Sequence, residues 1–153
     1  MTTDANSRAE GVIIGFDFGQ KRIGIAVGNT QIGQASPLGV VRNIHGRPDW
    51  DAISQIVKEW QPAGFVVGLP LADDGRDQPI LPLSNAFAKR LKQKYALPVY
   101  RFDERFSSIA ASQVIADNRR RGKRRKSTHA DTDKIAAAII LERWLMQTTS
   151  GND

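Results

Sequence analysis

The 153-residue sequence contains no cysteine. Disulfide crosslinks, thiolate zinc sites and cysteine nucleophiles are therefore excluded together. Histidine is nearly absent as well, with His45 and His129 isolated from each other. The longest apolar run, Ile135 to Leu141, falls far short of the roughly 20 residues that a helical bilayer span requires. Residues 1–10 are polar and mixed in charge, without the apolar stretch of a signal peptide. These absences predict a cytoplasmic protein that does not cross a membrane. What remains is 41% hydrophobic and 25% charged, a composition that suits one globular domain of this length. The expected layout is a single domain over 11–147 between disordered tails at 1–10 and 148–153.

Charge of one sign is in excess but not spread evenly. There are 22 Lys and Arg against 16 Asp and Glu, a net charge of +6. Seven of the eight residues from 119 to 126 are basic: Arg119, Arg120, Arg121, Lys123, Arg124, Arg125 and Lys126. Without them the chain has 15 basic and 16 acidic residues, so the excess is local. Self-repulsion and Gly122 predict a loop there. A solvated loop would account for it, but clustered Lys and Arg also bind polyanions by releasing condensed counterions. Nucleic acid is the expected partner.

Hydrophobic periodicity orders the elements as βββαβαβα, an α/β fold with no repeat and no linker. Val12–Phe18 and Ile23–Gly28 read as strands joined by a tight turn. In the second, Ile23, Ile25 and Val27 alternate with Gly24, Ala26 and Gly28. One face is bulky and the other nearly bare, so another element must approach the bare face closely. A third strand is expected within Leu38–Asn43, after the Ser36–Pro37 break. Asp49 caps a helix carrying Trp50, Ile53, Val57 and Trp60. The strand Phe65–Leu69 runs into a proline-rich loop at 70–82. Leu83, Phe87 and Leu91 form the stripe of the next helix, Leu97–Phe102 another strand, and Ser107 or Ser108 caps a further helix. Thr132–Met146 is the last helix. Ligands in such sheets gather at the carboxyl ends of the strands.

Acidic residues stand at those ends. Asp17 closes the first strand within Gly15-Phe16-Asp17-Phe18-Gly19, with Lys21 and Arg22 in the following turn. Asp is a common turn residue. In apolar surroundings, however, an unpaired carboxylate is costly and calls for a cation or ligand. Asp103 and Glu104 follow the later strand, beside Arg105; neighbouring strand residues point to opposite faces, so at most one shares a pocket with Asp17. Asp133 lies on the same stripe of the last helix as Ala137, Ile140 and Trp144, which turns it toward the sheet. Asp131, about 200° round, suits a cap. Three acids converging from two strands and a helix suit Mg²⁺ or Mn²⁺, which prefer hard oxygen ligands. Two such ions promote phosphodiester hydrolysis.

Four motifs in order resemble the YqgF family: Gly15 to Gly28, Val67-Gly68-Leu69-Pro70-Leu71 with Asp74-Gly75, Asp103-Glu104-Arg105-Phe106-Ser107-Ser108, and Asp133 followed by Ala136-Ala137 and Ile140-Leu141. Members of that family are also called Holliday junction resolvase-like proteins or pre-16S rRNA nucleases. The resemblance implies a ribonuclease H-like fold, a mixed central sheet with helices on both faces. It implies a metal-dependent nuclease in 5′-end maturation of small-subunit rRNA, acting on precursor rRNA with a pre-ribosomal particle as a further partner. Asp17, Glu104 and Asp133 match the family's acidic positions, with Asp103 in reserve as a metal ligand. Lys21, Arg22, Arg105 and the basic run 119–126 would bind nucleic acid. Phe106 stands where the family more often has leucine. The related RuvC-type resolvases carry acids at i and i+3 on the last helix; Asp131 and Asp133 are two apart, so that pattern is not met. Competing readings are branched-DNA cleavage and a non-catalytic ribosome-assembly factor. An actin-like ATPase, suggested by Asp17-Phe18-Gly19 and Gly24, would need a second domain for which this chain is too short.

Overall fold

The structure is a computed structural model that describes residues 8–70, 79–104 and 129–150, the last with side chains from 132 to 147. Six strands, β1 (Val12–Phe18), β2 (Arg22–Asn29), β3 (Gln34–Ile44), β4 (Arg47–Pro48), β5 (Gly64–Leu69) and β6 (Val99–Asp103), form one sheet in the order β4-β3-β2-β1-β5-β6. β1 pairs with β2 antiparallel and with β5 parallel, and β5 pairs with β6 parallel. The sheet is mixed, as expected. Helices α1 (Trp50–Trp60), α2 (Leu81–Tyr95) and α3 (His129–Ser150) cover it.

Strand alternation divides the core in two. Ile14, Phe16, Phe18, Ile23, Ile25, Phe65 and Val67 face α1 and α2, where they meet Ile53, Phe87 and Leu91. Ile13, Ala26, Val66 and Phe102 face α3, meeting Ala137, Ile140, Leu141 and Trp144. Helices therefore lie on both faces. The bare face of β2 is covered closely by α3: a Cβ on Gly24 would collide with the carbonyl oxygen of Asp133. A Cβ on Gly15 would lie 2.9 Å from the Cβ of Leu141, and one on Gly28 would lie 3.0 Å from Leu145 Cδ1. Glycine at these positions lets the helix axis settle nearer the sheet than side chains would permit.

α1 starts where Asp49 accepts a hydrogen bond from the Ala52 amide at 3.1 Å, and it stops at Gln61, which takes a left-handed conformation. Elsewhere the expected boundaries shift. β3 begins at Gln34, so Ser36 and Pro37 lie inside it and do not precede it. The pairing slips between Ile25, opposite Gly39, and Ala26, opposite Pro37. Leu38 is the extra residue of a bulge, and a bulge is where a strand tolerates proline. A two-residue turn, His45 and Gly46, both with positive φ, adds the short β4. In α2 the expected stripe holds at Phe87 and Leu91, but its first position fails: Leu83 is 43% exposed while Ser84 is fully buried. α3 already includes His129, so Asp131 falls inside the helix and not at a cap. The Asp74-Gly75 turn, the helix after Ser107 or Ser108, Arg105 and the basic run 119–126 lie outside the described residues.

Gly24→Ala should cost about 1–3 kcal/mol, because α3 must move off the sheet. Gly39→Ala, whose Cβ would meet nothing within 4 Å, should cost less than about 0.5 kcal/mol. Urea unfolding of the two variants measures the difference, and equal costs would contradict the close-approach explanation.

Candidate active site

Asp17 and Glu104 are brought together at the carboxyl ends of the parallel strands. Asp17 is the sixth residue of β1 and stands opposite Gly24. Its neighbours Phe16 and Phe18 point to the α1/α2 side, so its carboxyl points to the α3 side. Glu104 follows β6 directly. Tyr100 and Phe102 belong to the α3 face, and Glu104 continues their alternation. Asp103 is turned the other way, like Arg101, and the structure thus selects Glu104 to share a pocket with Asp17. Gly68 makes room for it: a Cβ there would lie 2.6 Å from Glu104 Cγ and 2.8 Å from its Oε1.

The two carboxyl groups hydrogen-bond to each other, Glu104 donating to Asp17. Burial pushes the Glu104 carboxyl up to about 10, reinforced by its hydrogen bond to Asp17 and by the Asp17 and Asp103 charges, and opposed by Arg101. Asp17 is also raised, by burial first; its hydrogen bond with Glu104 lowers it and the charge of Asp133 raises it. The pair holds a proton because two adjacent desolvated carboxylates cannot both stay ionised.

Asp133 completes the acidic group from α3. Its Oδ2 accepts from Arg22 Nε at 2.8 Å, an ion pair with the side chains 37% and 26% exposed. Arg22 opens β2, so the first motif supplies both an acid and a counter-charge to another acid. Lys21 is exposed in the intervening turn, which is closed by the Gly19 amide donating to the Arg22 carbonyl at 2.9 Å. The buried Asn43 ties this turn to β3, its side-chain amide donating to the Gly19 carbonyl at 2.7 Å. Among the described residues no three His, Cys, Asp or Glu side chains already enclose a point that would hold a metal. The donor chemistry nonetheless suits a hard divalent cation: three carboxyl groups stand at this end of the sheet, two of them desolvated and bound through a single proton.

Arg101 escaped the sequence reading. A basic residue in the short strand Val99–Asp103 looks like a surface position, yet its guanidinium is partly buried and makes four hydrogen bonds. It donates to the carbonyls of Val67 at 3.1 Å and Gly68 at 3.0 Å, to Ser84 Oγ at 2.7 Å and to Asn85 Oδ1 at 2.8 Å. Ser84 Oγ donates to the same Gly68 carbonyl at 3.3 Å. The peptide against which Glu104 rests is thus fixed from the opposite side of the sheet. The signals available were Arg101 amid apolar strand residues and Ser84 at a core position of α2.

Comparison with known proteins follows from this geometry. Residues 11–147 match the family model described as "RuvX: Holliday junction resolvase". The chain is 46% identical over 139 residues to the "Putative pre-16S rRNA nuclease" of Xanthomonas campestris pv. campestris (strain 8004), spanning 90% of this chain and 89% of the relative. It is 46% identical over 137 residues to the protein of the same name from Xanthomonas oryzae pv. oryzae (strain PXO99A), spanning 89% and 88%. In structure it is similar to T. thermophilus RuvC in complex with Holliday junction substrate, with a TM-score of 0.54 and 18% identity over 92% of this chain and 96% of that one. Fowlpox virus resolvase in complex with Holliday junction DNA gives a TM-score of 0.52 and 14% identity over 93% and 99%. At these identities the likeness establishes the fold, which is ribonuclease H-like.

Two predictions follow from the site. Glu104 keeps in the folded state a proton that the unfolded chain loses above about 4.5, so the unfolded state binds fewer protons between about 4.5 and about 10. Stability should fall as pH rises through that window, by at most about 1.4 kcal/mol per unit for one proton. Glu104→Gln should flatten the slope in denaturant titrations at pH 5 to 9, and an unchanged slope would contradict the assignment. Arg101→Met should lower kcat about 10-fold or more with KM little changed, as expected of a positioning residue, and Arg101→Lys should recover part of it. Equal losses in Met and Lys variants, or a loss confined to KM, would argue against positioning.

Proposed function

The chain belongs to the RuvX family and is a nuclease, and we propose that it processes the 5′ end of pre-16S rRNA, cutting phosphodiester bonds at Asp17, Glu104 and Asp133. The observation that carries this reading is the pair of desolvated, proton-sharing carboxyl groups at the strand ends, with a third carboxylate beside them. A buried acid pair does nothing for the core around it. It is a site that asks for a cation.

Asp17, Glu104 and Asp133 are the residues that would hold Mg²⁺ or Mn²⁺, while Asp103 is turned to the other face of the sheet. Divalent ions bound there supply the Lewis acidity that activates water and stabilises the departing oxygen. The chain's own contribution is arrangement. Gly68 and Gly24 place Glu104 and Asp133 against backbone, where no intervening side chain can displace them. Glu104 holds the pair's proton, and positive charge bound there would favour its release. Arg22 keeps Asp133 oriented toward the Asp17 side, and Lys21 beside it offers an exposed charge to the substrate backbone. Arg105 and the basic run 119–126 are assigned to nucleic-acid contact. The cytoplasm is the compartment consistent with an rRNA precursor.

Substrate choice follows the relatives at 46% identity, which bear the rRNA nuclease name, over the structural neighbours, which share only the fold. The last helix supports this choice: three residues to either side of Asp133 stand Ala130 and Ala136, so no second acid shares its face in the i, i+3 pattern.

The test is cleavage of a defined pre-16S rRNA fragment and of a four-way DNA junction with Mg²⁺ or Mn²⁺ present. The expected result is cutting of the rRNA in preference to the junction, reduced about 100-fold or more in Asp17→Asn. Equal rates for wild type and Asp17→Asn would remove the catalytic assignment, and preference for the junction would replace the substrate.

A further inference from the structure

Outside the block 119–126 the chain is nearly neutral in sum, but not in distribution. α2 carries Lys89, Arg90, Lys92 and Lys94 and has no acidic residue in its fifteen positions. All four are exposed, while Ser84, Phe87, Ala88 and Leu91 form the buried side. At about 100° per residue, Arg90, Lys94 and Lys92 stand about 100°, 140° and 300° round from Lys89, so positive charge covers the outer face from flank to flank.

Helix stability explains part of this concentration. Lys92 and Lys94 lie in the last turn, where cations complement the helix dipole. Lys89 and Arg90 lie earlier, and Arg90 and Lys94 are like charges at i, i+4, a spacing that destabilises a helix. The side chains are also not loose. The Arg90 guanidinium lies 6.0 Å and the Lys94 ammonium 5.6 Å from the centroid of the Trp50 ring, which itself stacks on Phe87 at 5.4 Å. Two cations are held on one aromatic base. α2 itself supplies no carboxylate to answer them, since none of its fifteen residues is acidic.

The helix is also tied to the active site. Ser84 bonds to the Gly68 carbonyl, on the peptide against which Glu104 rests. Lys89 is about 8 Å and Lys94 about 15 Å further along the helix axis. The ridge of charge thus leads away from the acids at a spacing that several backbone phosphates can match.

We infer that the outer face of α2 is a second contact for the phosphate backbone of the nucleic-acid substrate, separate from the basic run 119–126. This inference rests on the nuclease reading and extends its footprint. The test is fluorescence anisotropy of the full chain with a labelled pre-16S rRNA fragment in EDTA, across a salt series. The variant K89Q/R90Q/K92Q/K94Q should bind about 10-fold or more weakly near 0.1 M salt, with the log–log salt slope reduced by about 2–3. The half variant R90Q/K94Q should lose about half of that slope, and its milder change guards against a folding artefact. R47Q/R143Q, on the opposite edge strand and the opposite helix, should leave the slope within about 0.5 of wild type. A wild-type slope in the quadruple variant overturns the inference and leaves the face to an acidic protein, while continued rRNA cleavage would keep the nuclease reading intact. Absence of wild-type binding at every salt concentration would overturn both.

Discussion

The last helix lies this close to the sheet because Gly15, Gly24 and Gly28 put no side chain at its nearest points of approach, and most of the molecule follows from that contact. It seals the second hydrophobic core over Ile13, Ala26, Val66 and Phe102. It sets the height of Asp133 above Asp17, since the Asp133 carbonyl sits directly on Gly24, the residue opposite Asp17 in the ladder. A bulkier strand would give a similar sheet with the third acid lifted away from the other two. Gly68 performs the same service for Glu104 on the neighbouring strand.

That contact explains why the sequence is informative where it is. Alternation of bulky and bare residues in Ile23–Gly28 is a strong local signal, and it announced a close partner before the partner was known. The Asp17 and Asp133 placements were legible for the same reason, as acids on faces whose other members are apolar. The choice between Asp103 and Glu104 was not legible from spacing, because it depends on which face the strand's phase presents to the helix. Pro37 concealed the first half of β3, since proline reads as a break while a bulge tolerates it. Ser84 and Arg101 were hidden because their roles are long-range: a buried serine and a guanidinium that bonds backbone carbonyls of another strand leave no periodic trace.

Electrostatics divides the molecule in a way that net charge obscures. Asp17 and Glu104 concentrate negative charge so tightly that a proton is retained, and Arg22 answers Asp133 at 2.8 Å. α2 concentrates positive charge without an acid in its length. A sum near zero over this scaffold reports cancellation between separate places, the acids at the strand ends and the ridge on the outer face of α2. Arg101 and Ser84 join the two through one carbonyl, so the helix that carries the ridge also holds the peptide under Glu104.

In the proposed nuclease the Asp17–Glu104 pair, which holds a proton, is the place where a divalent cation would bind. Isothermal titration calorimetry with Mn²⁺ at pH 7.5, in buffers of differing ionisation enthalpy, counts that proton directly. Saturable binding is expected with close to one proton released per chain, and release of none from Glu104→Gln. Binding to the wild type without proton release, or no Mn²⁺ binding at all, would contradict it.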